Sequence, residues 1–390
     1  MRLYLELFKK PGVSSVIWSQ LLARFAMGMQ TITFAIHLQR TFNQYTIAGL
    51  AIAASTVGGA LSAPILGQWM AKFGIRPVVY ISTIIVPIFM LGVGFFPISE
   101  PLVVFMCLCI GLSVPPIQPA ARAVYPTLVE TEEHRNAIYN IDAILQEIIW
   151  IVGPVLATLL IALTNTQVPI VLMAVIQLVG GLWFVSLKRV SGAPIPRSSR
   201  RLGAVLKSKI VRVMIIINLL FVGSFAALEI GVVAAVGSKQ AGLVIAMLSI
   251  GSIIGGLSIG HRFKNSNALT LQLLIVLIGD LLIFFSAKDP IWLGICLFIS
   301  GIGVATAFGT IGSIIGKAVR LDDTTEVYGW IGAGQNIGYG MGAAIAGFVI
   351  DHFTSTHSLG LASLLDGIAM LVALAAIAIT PNFQRKTKEQ

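Results

Sequence analysis

Six ionisable residues fall inside stretches that are otherwise almost wholly apolar: Arg24, Asp142, Glu147, Glu229, Asp280 and Asp366. A charge held within a membrane costs about 3 kcal/mol or more, so such groups pair, meet water or change protonation. Arg24 and Glu147 each stand about ten residues into their apolar runs from the same side. At about 1.5 Å per residue both lie roughly 15 Å deep, where they could meet as an ion pair. Protonating Glu147 would then release Arg24; the plainer alternative is a static pair joining two helices. Asp142 lies nearer the mouth, where water reaches it. Glu229 lies in the outer half of its run, where a carboxylate can reach the headgroups. Asp280 and Asp366 sit about seven residues from the outer ends of their runs.

Uncharged polar residues add to this set. Gln146 and Gln335 are amides, each both donor and acceptor, suited to a neutral or zwitterionic solute or to hydrogen bonds between helices. Glycines crowd 329–347, allowing helices to approach closely and slide. No GxxxxGK[ST] phosphate loop occurs, nor a nucleophile elbow or metal-ligand cluster. Cys107, Cys109 and Cys296 all lie inside apolar segments and form no metal-like cluster. The residues thus predict no enzyme, no catalytic or metal site and no cofactor.

The elements that position these groups follow from composition. Of 390 residues, 56% are hydrophobic and 11% charged, against about a quarter charged in soluble domains. Lipid must cover part of such a surface. Long unbroken apolar runs, rather than short alternating strands, predict an all-α membrane protein and exclude a barrel. The N-terminal MRLYLELFKKPG is a polar, basic stub without a cleavage site. Twelve windows are long enough to span: 14–38, 46–70, 77–97, 102–125, 137–163, 168–187, 210–236, 241–260, 268–287, 290–316, 327–350 and 359–380.

The net charge of +10 does not imply nucleic acid, because of where the charge lies. Eight basic residues and no acid occur between Lys188 and Arg212. Of 26 Lys and Arg, the termini and even-to-odd connections hold 22, the opposite side holds Arg40, Lys239 and Lys288, and Arg24 remains within a span. That asymmetry places both termini in the cytoplasm of a bacterial-type inner membrane.

The chain also repeats. Ala48-Gly49-Leu50-x-Ile52-Ala53, Gly58 and Gly67 recur 193 positions later as Ala241-Gly242-Leu243-x-Ile245-Ala246, Gly251 and Gly260. Tyr139, Gln146, Gly153 and Ala157 recur 189 positions later as Tyr328, Gln335, Gly342 and Ala346. The two spacings agree closely enough to imply duplication of a six-helix unit. The expected organisation is an N-terminal bundle over 1–187, a basic cytoplasmic linker over 188–209 and a C-terminal bundle over 210–390. Duplicated halves enclose a site at their interface, exposed alternately as the halves rock.

Three stretches resemble the major facilitator superfamily. GQWMAKFGIRP, Gly67 to Pro77, is similar to its loop signature: Gly67, Gly74 and Arg76 match, Lys72 is conservative, and Ala71 replaces the acid. WIVGPVLATLL is similar to its Gly-Pro antiporter signature through Gly153 and Pro154, with Ile149, Ala157 and Thr158 replacing flanking glycines. PAARAVYPTLVETEEHRNA, Pro119 to Ala137, resembles an exporter connection, whereas Cys107 stands where drug antiporters carry arginine. The resemblance implies two pseudo-symmetric six-helix bundles, gating at Gly67–Arg76, and a monomer among lipids. It also implies a cavity-lining helix that makes Glu229 a second proton or cation site, and peripheral helices on which Asp280 and Asp366 are structural. It implies proton-coupled efflux of a small organic solute; an uptake symporter for a sugar, amino acid or other metabolite, or a non-transporting receptor or scaffold, are the alternatives.

Overall fold

The computed structural model describes residues 2–96, 99–192, 203–258, 266–319 and 324–379. The middle of the linker (193–202), Arg262, Lys264, Arg320 and the basic C-terminus lie outside them. The described chain is helical, with no strand. A short helix α1 (Arg2–Lys9) forms within the polar, basic stub and buries Leu7. Then follow α2 (Val13–Phe42), α3 (Tyr45–Phe73), α4 (Ile75–Phe95), α5 (Glu100–Leu112), α6 (Ile117–Leu128), α7 (Glu132–Leu163), α8 (Gln167–Ser186) and the short α9 (Lys188–Ser191). The second half comprises α10 (Lys209–Val236), α11 (Ala241–Ser258), α12 (Ser266–Leu282), α13 (Pro290–Ala318), α14 (Thr324–His352) and α15 (Ser355–Ile379).

Among the described residues eleven segments are long and apolar enough to cross a membrane, with α5 and α6 forming one. The twelfth, α14, is 29 residues long, its hydropathy diluted by Gly, Tyr and Gln. Together they fit the twelve-helix, two-bundle layout. The window 102–125 is not one continuous helix. It breaks at 113–116, because Pro115 and Pro116 lack N–H donors and push the preceding residue out of helical geometry. Elsewhere the helix ends obey local chemistry: Asp289 caps α13 ahead of Pro290, and Gly74 turns between α3 and α4 at φ +88°, where a side chain would be strained.

The halves pack alike. Within the first, α2 lies against α7 and α8, α3 against α5, and α4 against α8. Within the second, α10 lies against α14 and α15, α11 against α13, and α12 against α15. Backbones touch at matching points: a Cβ on Gly153 would lie 2.5 Å from Gly28, and one on Gly342 would lie 2.1 Å from the Gly223 oxygen. Such contact at van der Waals range is how helices associate without a hydrophobic driving force.

Candidate functional site

The two halves meet through α3 with α14, α7 with α11, and α2 with α10. A Cβ on Gly49 would lie 2.3 Å from the Ala343 oxygen, and one on Gly242 would lie 2.5 Å from the Pro154 oxygen. Gly242 repeats Gly49 after 193 positions, and Ala343 repeats Pro154 after 189. One seal is therefore the pseudo-symmetric image of the other. Both lie at the end of the molecule where the chain turns at 43–44 and 353–354. Along the same stripes toward the opposite end the helices part: side chains added at Gly67, Gly329 or Gly332 would meet nothing within 4 Å. The interface is shut at one end and open at the other.

A carboxylate fastens the shut end. Asp351, on α14, accepts hydrogen bonds from the Tyr45 N–H (2.9 Å), the Thr46 N–H (2.6 Å) and the Thr46 hydroxyl (2.6 Å). It caps the N-terminus of α3 in the other half, where unpaired amides and the helix dipole favour an anion. Arg40 Nη2 donates to Ser238 Oγ across the same seam at 2.9 Å. Removing the cap with Asp351→Ala should cost the closed form about 0.5–2 kcal/mol. Cysteine accessibility at this seam should rise severalfold; unchanged accessibility would show that the glycine contacts alone hold it.

Deeper in, Tyr339 of α14 donates its hydroxyl to Glu229 of α10 and lies 2.9 Å from Thr31 Oγ1 of α2. Glu229 thus sits where the halves touch, without a basic partner among the described residues.

Toward the open end lies a charge network in the first half. Arg24 Nη1 is 2.7 Å from Asp142 Oδ1, and both side chains are buried. Gln20 Oε1 accepts from Arg24 at 2.7 Å, and Gln146 Oε1 accepts from its other amino group. Tyr125 donates to Asp142 Oδ1 at 3.2 Å, and Arg122, half exposed, donates to Oδ2 at 3.3 Å. Gln118 can turn its amide oxygen to both guanidiniums, 3.1 Å from each. A small cavity beside Arg24 is lined by Gln30, Met90, Pro115 and Gln177. Two arginines against one acid leave an excess positive charge.

The partner of Arg24 is therefore Asp142, not Glu147. The reason is helical phase: Asp142 and Gln146 are one turn apart on one face, while Glu147 lies about 140° round from Asp142. Glu147 is half-buried and forms no ion pair with any described residue. It lies two turns before Pro154 and three before Thr158, on the stripe that meets Gly242 of α11. That stripe faces the other half.

Gln335 donates to Asn218 Oδ1 at 2.9 Å, as Gln146 bonds Arg24. The two glutamines are thus equivalent in contact, each tied to the first spanning helix of its own half, α2 or α10. Lys72 lies over the Phe73 ring at 5.0 Å, Arg76 is exposed, and neither forms an ion pair across the halves among the described residues. Tyr339, Asp351, Arg122 and Tyr125 were not singled out in the sequence. The Tyr125–Arg122 spacing beside two prolines was the available signal for the last two; the others needed the fold.

A sequence profile of the Major Facilitator Superfamily matches residues 16–279 and 239–390. An uncharacterised MFS-type transporter, y4rN of Sinorhizobium fredii, is 24% identical over 407 residues, covering 97% of each chain. The crystal structure of the nucleoside transporter NupG matches with a TM-score of 0.73 at 14% identity, over 97% of this chain and 99% of that one. The peptide transporter POT matches with a TM-score of 0.69 at 14% identity, over 96% and 95%.

Proposed function

Because the chain belongs to the Major Facilitator Superfamily, we propose that it moves a small organic solute across the inner membrane by alternating access, outward and driven by protons. The observation that carries this reading is the interface, sealed by symmetric glycine contacts at one end and parted at the other. Rocking one half on the other exchanges which end is sealed. With cytoplasmic termini the sealed end is external, so the open cleft faces the cytoplasm, ready to load an exported solute. Amides and the Arg24–Asp142–Arg122 network supply polar contacts for a neutral, zwitterionic or anionic solute.

Glu147 is the coupling group in this scheme. It faces the other half beyond the seal, so closing the inner end changes its surroundings. A proton can drive the change only by binding the two states with different affinity. Glu147→Gln should abolish uphill transport along a pH gradient while leaving solute exchange largely intact. Uphill transport by this variant would transfer the role to Glu229.

Counterflow in vesicles of defined orientation, with and without a pH gradient, tests direction and coupling together. Nucleosides and peptides, the solutes named for the two solved relatives, are the first probes. Accumulation only on the side corresponding to the cytoplasm would replace export by uptake symport. Topology is tested separately: single cysteines at Gln44 and Thr356 should label from outside in intact cells, and one at Ser199 should not. External labelling at Ser199 would invert the orientation.

A further inference from the structure

Asp280 and Asp366 are far apart in sequence, yet α12 and α15 pack together and bring their carboxyls face to face. Both residues are completely buried. Ser224 of α10 donates to Asp366 Oδ1 at 2.9 Å. Asp366 Oδ2 and both oxygens of Asp280 have no hydrogen-bond donor. Ser300 of α13, also completely buried and unpartnered, faces Asp280, since α12 and α13 close to backbone contact at Gly279. Four helices of the second half thus point oxygen atoms at one another, outside the cleft between halves.

The surrounding elements provide no compensating charge. On α13 the Cys296 thiol is the other titratable group near Asp280. On α10, Lys209 and Arg212 are exposed at one end, and Glu229 is bonded to Tyr339. On α14, Asp351 caps α3 and Glu326 accepts from the Gly203 N–H. On α15, His357 pairs with Thr354 at the helix start. Among the described residues no basic side chain pairs with either acid. Two ionised carboxylates so placed would repel each other, and each would lose its solvation without a compensating charge.

We propose that Asp280 and Asp366 form a buried site that takes up one small monovalent cation, a proton or a sodium ion. A proton would bridge the two carboxyls. A sodium ion would take the unpartnered oxygens of Asp280, Asp366 and Ser300, the all-oxygen donor set that hard cations prefer. The site stands apart from Glu147 and the Arg24 network, and the inference does not depend on the direction or substrate of transport.

Purified full-length protein provides the test in two arms. In the first, sodium replaces choline at constant pH and ionic strength while thermal unfolding is followed. In the second, sodium-free samples are titrated with acid and the protonated-carboxyl band is followed by infrared difference spectroscopy. A saturable sodium-dependent rise in Tm, lost in Asp280→Asn and Asp366→Asn, identifies sodium. A protonated-carboxyl band lost in Asp366→Asn and moved in Ser224→Ala, which keeps both acids, identifies the proton. Should the aspartate variants fail to fold, the wild-type titrations and Ser224→Ala decide. Absence of both responses in the wild type overturns the proposal, as does a response that Ser224→Ala and the aspartate variants leave unchanged.

Discussion

Replacing Gly49 and Gly242 together by valine should prevent the external end from closing and reduce transport at least tenfold. At each position a Cβ would meet the opposing half well inside contact distance, 2.3 Å from the Ala343 oxygen and 2.1 Å from Thr158 Oγ1. The obstacles are backbone atoms and a hydroxyl tethered by bonds to Pro154 and Val155 at 2.9 and 3.1 Å, so neither yields without moving a helix. Overpacking costs about 1–3 kcal/mol per site. The two seals share no contacting residue, so their costs should add, enough to turn the sealed form into a minor species. Either half should still fold, because the lost contacts lie between halves. Spin labels at Gln44 and Thr356 should report a longer distance in the double variant. A wild-type distance distribution with wild-type transport would show that this seal is not part of the cycle.

The second large effect is expected at Arg24. Arg24→Ala leaves Asp142 buried with only Gln20, Tyr125 and the half-exposed Arg122 as partners. Breaking one partner of a buried pair costs about 3–5 kcal/mol, mostly from the stranded charge. Thermal stability and folded yield should fall sharply. Adding Asp142→Asn removes the stranded charge and should recover part of the loss, although the pair remains absent. That recovery separates a desolvated ion pair from mere packing. If the double variant is no more stable than Arg24→Ala alone, Arg122 already neutralises Asp142, and the network is centred on Arg122 instead.

Much of the architecture was legible because its cause is one-dimensional. A lipid slab demands about 20 apolar residues per helix, and gene duplication leaves matched spacings. The spacing of 189 makes α14 the repeat counterpart of α7 even though its glycines and polar residues weaken its hydropathy. The break at 113–116 was in plain view as Pro115-Pro116, but the surrounding apolar run masked it. The site was less legible because depth was considered without phase. Arg24 and Glu147 match in depth, whereas the face of α7 that meets α2 carries Asp142, Gln146, Ile149 and Gly153. Asp280 and Asp366 looked like two isolated structural acids. Only the packing of α12 on α15 makes them one group. Asp351 carries no signal in sequence, since an acid near a chain reversal is commonplace; its meaning lies in which helix start it reaches.

The Asp351 cap constrains how this seam can vary by inheritance. Two of its three hydrogen bonds end on backbone amides, which every residue except proline supplies. Substitutions at Tyr45 or Thr46 can delete only the Thr46 hydroxyl unless they introduce proline, whereas one change at Asp351 deletes all three bonds. A paired-charge latch could be repaired by swapping signs across the seam. This one cannot, because a helix start has a fixed polarity. Revertants of an Asp351 variant selected for restored transport should therefore regain an acid at 351 or arise at distant positions that favour the sealed form, such as the glycine contacts, and not as compensating bases on α3.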